Sequence, residues 1–308
     1  MNNMFLFFLL LALFLPVTHT HAEEFISSQC NPLTVNDAIA EQSVVNSDGL
    51  LWRVSRDEND LGYVFGTIHV SDEAVTTLPE AVDQALIDSK QFAMEALPEP
   101  QALISFSRMM FFDNESRLED YVDQAILERT REILARYNVT AEVVSLMKPW
   151  SAFLTMNYPA DAGLPLDLVL LKKATEAGAA THGLETMQEQ ADIFDSLSLD
   201  EQARLLIDTV CHYDIVEEDF NAMKSFYLEQ DLGGLYNYVN RYSTMEEPLY
   251  KKLMHRLIDK RNKHMVERML PLLGKGDAFI AIGAMHLPGE KGVLALLEQQ
   301  GYHLSAIY

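Results

Sequence analysis

The segment "YVFGTIHV", residues 63–70, has the apolar, aromatic and β-branched composition of a buried β-strand and carries a histidine near its end. The polar segment "RDENDLG", residues 56–62, precedes it and predicts a turn from an earlier strand at residues 50–55. A closely similar strand, "FIAIGAMH" at residues 279–286, also ends in a histidine. Both strands carry Gly-x-x-His, then an apolar residue, then a glutamate four positions after the histidine. The repeat indicates two strands that bring equivalent residues to one place.

The rest of the chain alternates between predicted strands and helices. Further strands are predicted at residues 91–97, 179–186 and 302–308. Helices are predicted at residues 79–89, 118–137, 141–158, 165–177 and 293–300, and residues 187–270 are mainly helical. We therefore predict an α/β fold in which helices surround a central β-sheet. A large helical insertion separates the two motif strands.

Four predicted strands end in a side chain that commonly binds metals: His69, Glu95, Glu185 and His286. In open α/β sheets, sites form outside the carboxyl ends of the strands, so we expect these side chains to converge. Neutral imidazoles together with carboxylates suit a divalent transition metal. An open coordination position would hold a water molecule whose pKa the metal lowers. The pattern thus predicts a metal site suited to hydrolysis.

The residues around each motif histidine have expected supporting roles. Each motif glycine lets a backbone or a ligand come close to the strand, because it has no Cβ. Glu73 and Glu290 are candidates to accept the second ring proton of an imidazole and so fix its tautomer. His182 lies an odd number of residues before Glu185 and is expected to face away from the site. A single strand-end histidine is more often structural, so the repeat carries the argument.

Composition excludes several classes of protein. The chain of 308 residues is 48% hydrophobic and has 46 acidic against 23 basic residues, for a formal net charge of −23. A nucleic-acid binder needs a basic face, so none is expected here. The motifs of serine hydrolases, P-loop proteins, dinucleotide-binding proteins and His-Glu-x-x-His zinc proteases do not occur in the sequence.

The beginning "MNNMFLFFLLLALFLPVTHTHAEEF" is typical of a secretory signal. We expect cleavage after residue 22, a single domain over residues 23–308, and no transmembrane segment in the mature chain. The alternative is an uncleaved N-terminal membrane anchor, although the apolar run is shorter than a spanning helix needs. Cys30 and Cys211 either form a disulfide or are two unrelated buried thiols, and the sequence leaves both possibilities open.

Several segments resemble the TraB/GumN family, which is grouped with the Tiki proteins. They are "GTIH", "MEAL", "HGLETMQEQ" and "GAMHLPGEKGVLALLEQQGY", with support from "KPW" and "KRNKHM". The resemblance extends from about residue 50 to residue 307. It implies an α/β fold related to erythromycin esterase and to a haem-uptake lipoprotein. For Tiki-like members it implies metal-dependent peptidase activity with manganese or cobalt, and zinc is a further option.

The resemblance also implies roles for individual residues. The two Gly-x-x-His motifs match His69 and His286, and the family's glutamates match Glu95 and Glu185, so these four are the implied metal ligands. The family's Arg-Asn pair matches Arg261 and Asn262. Glu95 or Glu185 would be a ligand or the general base, and Arg261 with Asn262 would stabilise an oxyanion. For Arg261, an equally good interpretation places it on a solvated amphipathic helix within the basic residues 250–268.

These observations predict a secreted or periplasmic metal-dependent hydrolase, most simply a metallopeptidase that acts on a peptide or protein substrate. One alternative is a non-catalytic envelope protein that sequesters a peptide or haem. A second alternative is a structural envelope protein that retains a vestigial site. Metal content and peptide cleavage distinguish the three hypotheses.

Overall fold

The computed structural model describes residues 28–36, 39, 42–159 and 163–308, so the expected signal peptide lies outside the described residues. The strands are β1 (Leu51–Arg56), β2 (Asn59–Thr67), β3 (Gln91–Ala96), β4 (Ala180–Glu185), β5 (Ala278–Gly283) and β6 (His303–Ala306). The helices are α1 (Glu73–Thr76), α2 (Glu80–Ile87), α3 (Pro100–Met109), α4 (Gln124–Ala135), α5 (Ala141–Leu146), α6 (Pro149–Met156), α7 (Leu166–Glu176), α8 (Met187–Asp195), α9 (Leu199–Cys211), α10 (Tyr213–Leu228), α11 (Leu232–Asn240), α12 (Pro248–Met254), α13 (Arg261–Lys275) and α14 (Val293–Gln299). The predicted α/β class is confirmed.

The six strands form one mixed sheet in the order β4-β3-β5-β2-β1-β6. Strands β4, β3, β5 and β2 are parallel, whereas β1 runs antiparallel to both β2 and β6. Parallel neighbours need long crossover connections, and the helices supply them. The two motif strands, β2 and β5, are direct neighbours, and Thr67 lies opposite Gly283. The sheet therefore brings the two distant motifs side by side.

Both motif strands end earlier than the sequence predicts. Strand β2 ends at Thr67 and β5 at Gly283, where their shared ladder also ends. His69 consequently lies in the bend that follows β2, and His286 lies in a short 3-10 turn, Ala284–His286. Without a partner strand beyond this point, the backbone can turn. Both imidazoles thus lie just outside the carboxyl end of the sheet.

Local signals explain why the predicted long helices are divided. Asp123 accepts a hydrogen bond from the backbone nitrogen of Ile126 and so starts α4, after a 3-10 turn at Leu118–Asp120. Pro149 occupies the first turn of α6, since proline has no amide proton for a helix interior. A π-helical stretch, His255–Lys260, continues directly into α13.

Among the described residues, no helix combines the length and apolar character needed to cross a membrane.

The packed interior has separate sheet and helical parts. Phe65, Phe92 and Phe279 are almost completely buried in the sheet core, and the ring of Phe279 contacts the rings of the other two. The helical insertion has its own apolar core, in which Ile126 and Leu206 are fully buried. Helix α13 packs into the sheet core, since Met265 and Met269 belong to the same buried cluster as the strands.

Cys30 and Cys211 form a disulfide, with a Cα–Cα distance of 5.7 Å. This joins the N-terminal strap, defined here as the described residues between 28 and 49, to the end of α9. Farther along the strap, Gly233 donates its backbone N–H to Ser47, and Gly289 donates to Val45, both at 2.8 Å. The strap thus links the helical insertion to the loop that follows the second motif.

Candidate functional site

The two motif glycines are sites of close approach. A Cβ added to Gly66 would lie 3.2 Å from the Cα of Ala284, in the second motif. A Cβ added to Gly283 would lie 3.1 Å from Oε1 of Glu95, which accepts a 2.8 Å hydrogen bond from the Gly283 backbone nitrogen. The first glycine therefore lets the motifs meet, and the second leaves room for a carboxylate beside them.

Arg261 lies at the centre of a buried ionic cluster. Its Nε donates to both oxygens of Glu185 at 3.1 and 2.9 Å, and its Nη2 donates to Glu185 at 2.8 Å and to Glu95 at 2.5 Å. Its Nη1 lies 3.1 Å from Nε2 of His286 and 3.2 Å from the carbonyl oxygen of Leu257. These bonds engage all five N–H groups of the guanidinium. Four of the residues chosen from the sequence therefore meet in one cluster.

His286 is 4% exposed and is held in one tautomer. Its Nδ1 lies 2.6 Å from Oδ1 of Asn262, whose Nδ2 donates to the carbonyl oxygen of Lys291 at 2.8 Å. The amide oxygen must therefore face the ring, so Nδ1 carries the proton and Nε2 carries the lone pair. Burial, reinforced by the positive charges of Arg261 and His69, lowers the pKa of His286 to about 4. The imidazole is thus neutral near pH 7.

Glu95 is the residue that links the cluster to both histidines. Burial alone would raise the pKa of its carboxyl group, but the charges of Arg261 and His69 and the hydrogen bond from the Gly283 backbone lower it far below the usual value. Gln190, which the sequence analysis did not single out, lies with its side-chain nitrogen 3.3 Å from Glu95 Oε2. Glu95 is therefore ionised under all ordinary conditions and fixed from several sides.

His69 lies at the exposed side of the site. Its side chain is 43% exposed, and its ring stacks on Tyr158 with 5.6 Å between centroids. Nδ1 lies 2.8 Å from Oδ2 of Asp167. Partial burial of the ring opposes protonation, but the charges of Asp167 and Glu95 and the hydrogen bond with Asp167 outweigh it and raise the pKa of His69. The charge of His69 thus acts on Glu95, the carboxylate whose Oε1 lies 3.6 Å from Nε2 of His286.

The expectation that Glu73 and Glu290 hold the two imidazoles is wrong. Both glutamates are exposed, and Asp167 and Asn262 occupy those positions instead. Asp167 comes from the first turn of α7, far along the chain from His69. An acidic residue in a first turn is common, so no sequence signal connects it with the motif.

His182 lies on β4, and its buried Nε2 has no hydrogen-bond partner within the described residues.

The donor atoms fit a divalent metal in chemistry, and one pair of them fits it in spacing. In the described part of the chain, no group of three or more His, Cys, Asp or Glu side chains is arranged to hold an ion, and Arg261 bridges the two glutamates. However, Nε2 of His286 and Oε1 of Glu95 are 3.6 Å apart. Two ligands bonded to one ion at about 2.0–2.2 Å can lie up to about 4.4 Å apart, so this pair fits a single ion. Its chemistry, one neutral imidazole and one carboxylate, suits a transition metal.

Comparisons with known proteins identify a family for this chain. The profile described as the TraB/PrgY/gumN family matches residues 50–306. Metalloprotease TIKI2 of Danio rerio is 26% identical over 324 aligned positions, which cover 87% of this chain and 62% of that protein. Metalloprotease TIKI1 of Homo sapiens is 24% identical over 320 positions, which cover 86% and 62%. The chain thus spans about 62% of the length of these relatives. No solved structure gives a significant match.

Proposed function

The chain belongs to the TraB/PrgY/gumN family, and from this membership we propose that it is a metal-dependent hydrolase that cleaves peptide bonds. Beyond family membership, one structural observation supports the proposal most directly. Both motif histidines engage an oxygen acceptor through Nδ1, and Nε2 remains the ring nitrogen for a ligand. This is the usual arrangement of metal-binding histidines, because the acceptor fixes the tautomer and the ring orientation. The similarity to TIKI metalloproteases supports the same reaction class.

The proposed ligands are His69, His286 and Glu95, and the proposed metal is manganese or cobalt, with zinc as the alternative. A bound ion would polarise the scissile carbonyl and lower the pKa of a water molecule. Glu185 was also predicted as a ligand from the sequence. Both of its oxygens bind Arg261, so the role we propose for it is to anchor that guanidinium.

Arg261 and Asn262 take different roles in this proposal. Both polar atoms of the Asn262 side chain have protein partners, so Asn262 is assigned to positioning His286 and not to contact with the substrate. Nη1 of Arg261 donates to Nε2 of His286. This contact would be displaced by a metal ion on that nitrogen, and the Nη1–H would then be free to donate to a substrate oxygen and stabilise the developing oxyanion.

We propose that the protein acts outside the cytoplasm, in the periplasm or as a secreted protein. The Cys30–Cys211 disulfide supports this, because such bonds form and persist in oxidising compartments. The substrate class proposed is a peptide or protein, since the relatives are named as metalloproteases.

The test begins with metal analysis of the purified protein, followed by cleavage of a peptide library with manganese, cobalt or zinc, and with a chelator. We expect one ion per chain and cleavage that the chelator abolishes. Glu95→Gln is the matched variant, because it keeps the shape of the side chain and removes the charge. Metal-independent retention of peptides, or a coloured haem complex, would favour the sequestering alternative. Absence of both metal binding and cleavage would overturn the proposal.

A further inference from the structure

The two motif histidines have the same sequence context but different partners. His286 is bonded to an amide oxygen of Asn262, and only 5% of its side chain is exposed. His69 is bonded to a carboxylate oxygen of Asp167, and 43% of its side chain is exposed. The buried ring is also fixed by packing and by Arg261, whereas the exposed ring has Asp167 and a stacking contact with Tyr158. The orientation of the His69 ring therefore depends more strongly on its acceptor, Asp167.

Asp167 is itself firmly held. It is 7% exposed, and while Oδ2 faces His69, Oδ1 accepts a 2.6 Å hydrogen bond from the hydroxyl of Thr67. The start of α7 is tied to the first motif, because Leu166 donates its backbone N–H to the carbonyl oxygen of Val70 at 3.1 Å. Asp167 lies in the first turn of that helix, where the helix dipole favours a negative charge. Both carboxylate oxygens are thus used, and both face the motif.

We propose that Asp167 is a positioning residue of this site, although neither Gly-x-x-His motif contains it. Together with Thr67 it orients the His69 ring and keeps the ring proton on Nδ1, so that Nε2 is the atom presented to a ligand. The inference rests on the proposed function, in which His69 is a metal ligand. It adds a residue that acts through His69 without contacting the ion, and it makes α7 part of the site.

The first measurement is Mn²⁺ affinity by calorimetric titration of the full mature chain. Asp167→Ala is expected to weaken binding by about 10–100-fold, as is typical when the partner of a ligating histidine is lost. Asp167→Asn is expected to weaken it less, because its amide oxygen can still accept from Nδ1, as Asn262 does for His286. Asp72→Asn is the matched control. It removes a carboxylate from the segment after the same motif, where Asp72 pairs with Lys224.

The second measurement separates positioning from a general structural effect. In the zinc-loaded protein, each ligating ring should give a protected Nδ1–H resonance in the proton NMR spectrum. Asp167→Ala should lose one of the two signals and keep the other, and Asp72→Asn should keep both. If Asp167→Ala does not fold, Asp167→Asn and Thr67→Val supply the comparison.

Two outcomes are distinguishable. Wild-type protein that binds neither Mn²⁺ nor zinc would refute the proposed function itself. The other outcome is that wild-type protein binds metal, the Asp167 variants bind it within about twofold of the wild-type affinity, and both ring signals remain. That outcome would refute this inference alone.

Discussion

Gly66 and Leu287 lie close together where the two motifs meet: a Cβ added at Gly66 would lie 2.8 Å from Cδ1 of Leu287. Leu287 follows the second motif histidine and is completely buried. Because the added Cβ would also lie 3.2 Å from the Cα of Ala284, the contact cannot be relieved by a rotation of Leu287 alone. Glycine is therefore required at position 66, because a side chain there would disturb the packing between the two motifs.

Gly66→Ala is expected to destabilise the protein by about 1–3 kcal/mol, the usual cost of overpacking a core. The measurement is the free energy of unfolding in urea. Gly274→Ala is the matched control, since Gly274 lies in helix α13 with no atom within 4 Å of its added Cβ. That change should be neutral or stabilise by up to about 1 kcal/mol. Equal effects of the two substitutions would contradict the packing argument.

Arg261→Met should destabilise the metal-free protein by about 3–5 kcal/mol, because two buried carboxylates lose their counter-charge. Urea unfolding in the presence of a chelator measures this loss. Arg256→Met is the control, since Arg256 donates to Ser196 at the surface, and its effect should stay within about 0.5 kcal/mol. A loss below about 1 kcal/mol for Arg261→Met would show that the cluster relaxes without its cation.

Mild acid should destabilise the metal-free protein through His286. Its folded pKa is about 4, below the unfolded value near 6.5, so between these values the unfolded chain binds a proton that the folded chain does not. Stability is therefore lost as the pH falls through this window. From pH 7 to 5, wild type should lose about 2 kcal/mol more than His286→Gln.

The comparison with His286→Gln removes the contribution of His69. That residue has a raised pKa, so its stabilisation is fully present below pH 6.5 and is lost at higher pH. Urea unfolding at both pH values, with chelator present, provides the measurement. Parallel losses in the two proteins would mean that His286 is not held neutral.

Replacing both cysteines, Cys30→Ser with Cys211→Ser, should lower the free energy of unfolding by about 2–5 kcal/mol. The bond closes a long loop and attaches the N-terminal strap to α9. Reduction of the wild type should reproduce the loss, and reduction of the double variant should change nothing. An unchanged stability would show that the hydrogen bonds of the strap suffice without the disulfide.

His69→Ala and His286→Ala should each reduce Mn²⁺ affinity by more than about 100-fold and abolish cleavage, since ligands contribute more than their hydrogen-bond partners do. His303→Ala is the control, because His303 lies exposed on β6. Circular dichroism checks that each variant is folded. Retained affinity in both motif variants would mean that the repeated motif serves packing alone.

The sequence predicts the gathering of Glu95, Glu185 and His286 because strand ends in a parallel sheet share one edge. It does not predict that Arg261 would engage both glutamates, since a helix position on a basic segment is equally compatible with solvent. Asp167 could not be predicted for a different reason: its link to His69 depends on where the start of α7 lies relative to the end of β2, which no local pattern encodes. The disulfide likewise depended on a Cα–Cα distance that only the fold supplies.

The sheet order has a consequence for how the protein is made. Strand β1 can pair with β2 as soon as both have been synthesised. Their other neighbours, β6 beside β1 and β5 beside β2, are synthesised more than two hundred residues later. Such non-local pairing slows folding, because a long loop must close before the contacts can stabilise it. During synthesis both outer edges of this hairpin are therefore unpaired. Unpaired edges promote aggregation unless they are shielded. The site itself can assemble only after His286 has been translated.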